Sequence, residues 1–452
     1  MLLVLGLLGY IYALYLVLPQ SRNVTPLLIR LASLFLVLQL INIAININYI
    51  QNEILFLDGV HRLNTNILFY EMLLISLTLL LFQVYTYYLK SSETFMIIFT
   101  NVIAIINLIE SYDWLLTIIN YELINITLYL IVSMKNGSEK ALSASIKYFL
   151  LSALTTTFLL LFITLIYAIT GTIHWDNMGL LWIFIENDIK LPLFFMLITI
   201  FFKIAAAPFH NWSPDLLDAI PTVLTSWMAT IPKYGILLFL SLFSYFLTPM
   251  NFFILFIGNL SILVGSLGLS NQWRIKRFLA YSAITNIGFL LLALGTNQLD
   301  YYVYYLIIYA LTTIGIFMIL LSIENNPEMI LQLSGLYHQN AYLGLSFTFL
   351  LFSLMGIPPM AGFFAKLMVL ASTINLGYIS LALFAIVGSI ISSVNYLNLI
   401  KIINVNLPNQ YNTFTVSKEI SYYISIIIAF TVLFLFYPLN LLSLSNLLLF
   451  IN

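Results

Sequence analysis

The sequence contains no cysteine and very little charge. Without thiols it forms no disulfide, binds no iron–sulfur cluster through cysteine and attaches no haem by thioether. Only 7% of its residues are charged, against about a quarter in soluble globular domains. So few polar groups cannot cover a water-facing surface, and lipid or neighbouring subunits must surround most of the chain. The formal net charge is −1, and Arg274, Lys276 and Arg277 form the one tight basic group. That excludes an electrostatic nucleic-acid binder. His61, His174, His210 and His338 are widely separated without ligand spacing, so no metal site is expected. There is no glycine loop of the phosphate-binding kind, and no cofactor is expected in this chain.

What is abundant is apolar sequence: 62% of the 452 residues are hydrophobic. A membrane span takes roughly 20 apolar residues to cross about 30 Å of hydrocarbon. Fourteen candidate spans are read, centred near Leu8, Leu36, Leu77, Val102, Asn125, Leu160, Ile200, Ile236, Ile262, Phe289, Ile314, Met355, Val387 and Ile427. Met1–Leu18 has no basic n-region and no A-x-A pattern, and is expected to be a retained first span. Leu439–Asn452 is short and interrupted by Asn and Ser, which suits an interfacial or subunit-facing segment. Continuous apolar runs of this length predict helices, since a membrane barrel alternates in ten-residue pieces. The expectation is an all-α, polytopic membrane protein.

The cations support this count. Eleven of the sixteen basic residues (Arg22, Arg30, Lys90, Lys135, Lys140, Lys147, Arg274, Lys276, Arg277, Lys401 and Lys418) fall in loops on one side. Arg62 and Lys190 fall on the other. This asymmetry predicts the basic loops inside and both termini outside.

Three lysines fit neither set, because Lys203, Lys233 and Lys366 lie within spans. A lone lysine near the bilayer centre costs about 2.5–3.5 kcal/mol on insertion scales. Snorkelling to the interface is one account, and a purely structural ion pair is another. Each lysine also stands by a helix breaker: Lys203 before Pro208, Lys233 after Pro232, and Lys366 after Gly356, Pro358, Pro359 and Gly362. A proline frees a backbone carbonyl, tolerated at membrane depth only where protein or water meets it. Broken helices carrying buried charge are a usual construction for ion and proton sites.

Glu122 lies in the middle of the fifth span, with Asn125 and Tyr129 on its face at i+3 and i+7. Burial disfavours the charged form of a carboxyl or an amine, and bringing the two together restores it. A pair made and broken in turn therefore takes up and releases protons. The alternative is a protonated Glu122 hydrogen-bonded to a neighbouring helix. Glu71, in the third span, has no obvious basic partner and is read as structural.

Several runs resemble the antiporter-like membrane subunits of NADH:ubiquinone oxidoreductase, respiratory complex I. Phe202-Lys203-Ile-Ala-Ala-Ala-Pro208-Phe209-His210-Asn-Trp212-Ser-Pro214-Asp215 is similar to their broken seventh helix and the loop after it. Ile275-Lys276-Arg277-Phe-Leu-Ala-Tyr281-Ser282 resembles the start of their tenth span, and Gly356-Ile-Pro358-Pro-Met-Ala-Gly362-Phe-Phe-Ala-Lys366 their broken twelfth. With Glu122-Leu-Ile-Asn and Lys147-Tyr148, the likeness covers nearly the whole chain.

The resemblance implies about fourteen helices with two inverted five-helix repeats, in which helices seven and twelve are broken counterparts. The implied divisions are 1–90 (three helices), 91–247 (first repeat), 248–404 (second repeat) and 405–452 (last helix and tail). It also implies a switchable ion pair of Glu122 and Lys203, a central carrier at Lys233 and an exit or connecting lysine at Lys366. Lys147 would stand on the entry side, or serve as an interfacial positive-inside lysine; His210 would aid hydration or face the loop. Many members carry a histidine where this chain has Asn286, and an asparagine orients water without titrating.

The implied function is proton translocation driven from other subunits, which would hold the flavin, the iron–sulfur clusters and the quinone. Implied partners are further complex I membrane subunits, including antiporter-like ones, and phospholipids, with no nucleic acid. A subunit of a multi-subunit cation/proton antiporter and a structural membrane scaffold remain as alternatives. Residue usage rich in Ile, Leu, Phe, Tyr and Asn suits an AT-rich organelle genome. The expected location is the mitochondrial inner membrane with the basic loops in the matrix, or else a bacterial plasma membrane.

Overall fold

The computed structural model describes residues 24–47, 53–56, 59–89, 91–134, 138–175, 188–323, 327–405 and 416–433. The span expected around Leu8 and the tail from Leu439 lie outside these residues. The first part of the chain forms α1 (Val24–Ile47), strands β1 (Ile54–Phe56) and β2 (His61–Leu63), α2 (Thr65–Tyr88), α3 (Ser92–Glu110), α4 (Trp114–Ser133), α5 (Glu139–Thr170), α6 (Lys190–Ile204), α7 (Trp212–Ala219), α8 (Thr222–Ala229) and α9 (Ile231–Leu242). The second part forms α10 (Asn251–Ser270), α11 (Ile275–Gly295), α12 (Leu299–Ser322), α13 (Leu336–Gln339), α14 (Ala341–Met355), α15 (Ala361–Asn375), α16 (Ile379–Asn404) and α17 (Lys418–Leu433).

Among the described residues, ten helical segments are long and apolar enough to cross a membrane. The protein is thus a polytopic, overwhelmingly helical membrane protein. The expected centres Ile200, Met355 and Ile427 fall on shorter helices: α6, the end of α14, and α17. The sequence reading missed one element, the antiparallel hairpin of β1 and β2, paired from Ile54↔Leu63 to Phe56↔His61. Three-residue strands are too short to show an alternating pattern.

Polar residues set several helix starts. Asn64 accepts from the amide of Asn66 ahead of α2, Asp113 from that of Leu115 ahead of α4, and Asn340 from that of Leu343 ahead of α14. Each satisfies an amide that the first turn leaves unpaired.

The chain separates into two compact units. Unit 1 comprises Met1–Ile204 and Ala219–Met250, and unit 2 comprises Ala205–Asp218 and Asn251–Phe450. In unit 1, α9 is buried along almost its whole length and packs against α2, α3 and α6. Trp114, Phe162, Trp175 and Phe243 make an aromatic cluster beside it. In unit 2, α10 and α11 pack at close range: a Cβ on Gly288 would stand 2.6 Å from the Gly258 carbonyl. Small residues permit such approach between helices where no hydrophobic drive from water acts. Arg277 holds Asp215 at 3.1 Å and Asp218 at 3.2 Å, tying α7 to the start of α11 within the same unit.

Candidate functional site

All three lysines are buried, with 3, 4 and 8% of Lys203, Lys233 and Lys366 exposed. Each also stands at an interruption of a helix. Lys203 is in the last turn of α6. The helix stops because Ala205 takes φ +63°, a left-handed conformation that a residue with a Cβ seldom adopts. Lys233 is in the first turn of α9, just after Thr230 breaks the eighth span at φ −112°, ψ −89°. Thr230 returns its hydroxyl to the Ser226 carbonyl at 2.6 Å. Between α14 and α15, Gly356 takes φ +77° and ends α14. Gly362 then lets α15 pass against Ser353, where any Cβ would collide with the Ser353 carbonyl.

Lys203 Nζ donates to Tyr148 Oη at 2.9 Å. It lies 5.1 Å from the ring centre of Tyr121 and 5.4 Å from that of Tyr148, within the range of a cation–π interaction. Tyr121 is held in turn by donating to the Thr199 carbonyl at 2.7 Å. Glu122 is half-buried on α4 and within electrostatic reach of Lys203, Tyr121, Tyr129 and Tyr148. It makes no ion pair with Lys203 within 4.0 Å; the ammonium is engaged by the tyrosine hydroxyl instead. Asn125, three residues on, is 1% exposed, and its amide has no hydrogen-bond partner among the described residues. Asn101 on α3 joins Thr127 at 2.7 Å to Trp227 at 3.2 Å.

Lys366 reaches back from α15 to the end of α14, donating to the carbonyls of Leu354 at 2.6 Å and Met355 at 3.0 Å. These are the orphan acceptors of a helix C-terminus, where a cation is favoured by the helix dipole. Phe289 lies below the ammonium at 5.3 Å. A small cavity beside it is lined by Asn286, Tyr305, Tyr309, Ser353 and Lys366, among others. Asn286 is 3% exposed, donates to the Ser282 carbonyl at 2.8 Å and accepts from Tyr305 Oη at 2.8 Å. Both ends of its amide are therefore fixed by the chain.

Of the remaining candidates, Lys147 is exposed on α5, one residue before the buried Tyr148. His210 is half-buried in the turn before α7, its ring edge-on to Tyr281 at 6.2 Å between centroids. Sequence reasoning did not single out Tyr148, Tyr121 or Tyr305 as site residues. Tyr148 stood within a recognised dipeptide. The other two carry no signal, because in an apolar run a bonded hydroxyl and a mere aromatic filler look alike.

The comparisons agree with this architecture. A family model described as NADH:quinone oxidoreductase/Mrp antiporter, TM, matches residues 111–392. NADH-ubiquinone oxidoreductase chain 2 of Rhizopus oryzae is 38% identical over 325 residues, 67% of this chain and 62% of that protein's own length. NADH-quinone oxidoreductase subunit N of Wolbachia sp. subsp. Brugia malayi is 35% identical over 333 residues, 70% of each chain. A chain in the structure of respiratory complex I from Thermus thermophilus superposes with a TM-score of 0.84 at 25% identity, covering 98% of both chains. The chain accordingly belongs to the NADH:quinone oxidoreductase/Mrp antiporter transmembrane family, on its chain 2/subunit N branch.

Proposed function

We propose that the chain is a proton-translocating membrane subunit of an NADH:quinone oxidoreductase. The observation that carries this is the burial of three lysines at three helix interruptions, in a chain with 7% charge. Cations at such depth are costly and repay their cost where protons pass. Helix-end carbonyls account for a cation at Lys366, but Lys203 rests on a tyrosine hydroxyl and Lys233 stands at a helix start, where a structural cation gains nothing from the dipole.

In this account Glu122 and Lys203 form a switchable pair. With Lys203 on Tyr148 the pair is open; closing it stabilises both charges, and reopening it frees a proton. Lys233 is the central carrier. Its place in the first turn of α9 sets an ammonium against the positive end of a helix dipole, which suits a group that must give up its proton. Lys366 is the connecting or exit lysine, with Asn286 orienting water and Lys147 and His210 as contributors at the ends of the path. The interruptions after Lys203 and before Lys366 would be counterparts in two inverted repeats, 91–247 and 248–404.

NADH oxidation and quinone reduction would take place on other subunits, which carry the flavin, the iron–sulfur clusters and the quinone. The partners would be other membrane subunits of the complex, antiporter-like ones among them, with phospholipid around the exposed apolar helices. The membrane would be the mitochondrial inner membrane or, for a bacterial source, the plasma membrane, with the basic loops inside. A cation/proton antiporter subunit would use the same residues, and copurifying redox proteins separate the two.

The test is Lys233→Ala, with NADH:quinone turnover, proton pumping and assembly on a native gel measured together. Loss of both activities in an assembled complex is the expected result. Pumping at the normal rate would remove Lys233 from the path.

A further inference from the structure

We propose that Glu71 and Glu110 form a proton-binding carboxyl pair in unit 1, with His61 beside it as a third group. The pair takes up and releases one proton on the membrane side of the β1–β2 hairpin. This rests on the proton-translocating function above and adds a site separate from the Glu122, Lys203 and Lys233 set.

Glu71 and Glu110 come from different helices, α2 and α3, and are each 5% exposed. Both line one and the same cavity. Among the described residues neither is paired with a lysine or arginine. Arg62, the cation nearest in sequence, is engaged with Glu53 and lies over the Tyr112 ring at 4.8 Å. Two carboxyls sharing a buried site cannot both be ionised, so such a pair retains one proton between them.

Two further observations point to an exchangeable proton rather than a sealed contact. The first is His61, which is 3% exposed and sets Nδ1 3.4 Å from Glu110 Oε2. Among the described residues that nitrogen has no hydrogen-bond partner, and neither has Glu71 Oε1. The second is a cavity that both carboxyls line, together with Gln39, Asn42 and Asn46 of α1. These amides bring hydrogen-bonding groups and no charge.

The backbone explains why these three residues meet. β2 bridges to the segment after α3 through His61 and Ser111, and the Tyr112 amide donates to the Val60 carbonyl at 2.9 Å. The hairpin is thereby fastened over the end of α3 that carries Glu110. Because α2 starts at Thr65, Glu71 lies about 9 Å along the helix from that same end. The three groups form a short ladder from the hairpin into the membrane. Along it the proton of one glutamic acid passes to the carboxylate of the other, or from Glu110 Oε2 to His61 Nδ1. The second step leaves a carboxylate and an imidazolium, and no electron moves.

The experiment is labelling of the assembled complex with dicyclohexylcarbodiimide, which attacks protonated buried carboxyls, mapped by mass spectrometry on the acidic and alkaline sides of neutrality. Glu71 is expected to be labelled at neutral pH, and less so as the pH rises. In Glu110→Gln burial still favours the neutral acid but the like charge is gone, so the loss of Glu71 labelling with rising pH should shift to lower pH by about one unit. Absence of label from both glutamates at every pH would overturn the pair. So would labelling of Glu71 that is indifferent to Glu110→Gln, because two independent neutral acids behave that way. Labelling needs no turnover, so a complex that still pumps with Lys233→Ala would sink the proposed path and leave this readout standing.

Discussion

Lys203 of unit 1 and Lys366 of unit 2 are held in different ways. Lys203 rests on a tyrosine hydroxyl with a glutamate within electrostatic reach. Lys366 rests on two backbone carbonyls at a broken helix end, and its polar surroundings, Asn286 and Tyr305, are neutral. The first site has a carboxyl within electrostatic reach of the cation, and in the proposed switch it moves toward or away from it. The second has dipoles fixed to a helix end, which change only if the interruption itself moves. Two similar-looking motifs, a lysine near a proline, therefore offer two modes of control: one electrostatic and one conformational.

The largest effect should come from removing the cation at the helix end. Lys366→Met leaves two carbonyls of α14 without their donor; with hydrogen bonds to a charged group worth about 1.5–3 kcal/mol each, pumping should fall by about a hundredfold. Lys366→Arg restores the charge without an exchangeable proton, and pumping should stay low if Lys366 carries protons. Recovery with arginine would make the residue a structural cation and erase the conformational half of the comparison.

A smaller effect is expected at Tyr148. Tyr148→Phe keeps the ring under Lys203 and deletes one charged hydrogen bond, which should change the pumping rate by about tenfold with assembly intact. An unchanged rate would mean that the hydroxyl does not hold the open state of the pair.

The mildest change sharpens the contrast. Asn286→His puts a group of ordinary pKa about 6.5 where the chain has an amide that cannot titrate. The pH profile of pumping should gain an inflection in the mildly acidic range that the parent lacks. A profile identical to the parent's would place Asn286 off the path.

The sequence announced the membrane class, most helix centres, the breaks at Pro208, Pro232 and Pro358, and the three buried lysines. It could do so because apolar length, proline and charge in hydrocarbon are each local signals. What remained hidden depends on pairs far apart in the chain. Tyr148 is 55 residues from Lys203, and nothing in the run around it separates a bonded hydroxyl from packing. Ala205 gave no warning of a left-handed turn, since alanine is ordinarily a helix former. Lys366 finds its partners 11 and 12 residues earlier, across a break that periodicity cannot bridge. Glu71 read as an isolated acid because the residue that shares its cavity, Glu110, comes from a different helix and is no cation.

The most direct test of the electrostatic half is a double-mutant cycle on proton pumping in the assembled complex. Glu122→Gln is measured in the wild type, in Lys203→Met and in Lys366→Met. If Glu122 and Lys203 act as one switch, Glu122→Gln should slow pumping by about tenfold in the wild type, add almost nothing to Lys203→Met, and add in full to Lys366→Met. Full additivity with Lys203→Met would contradict the account, since two independent groups cannot be a pair.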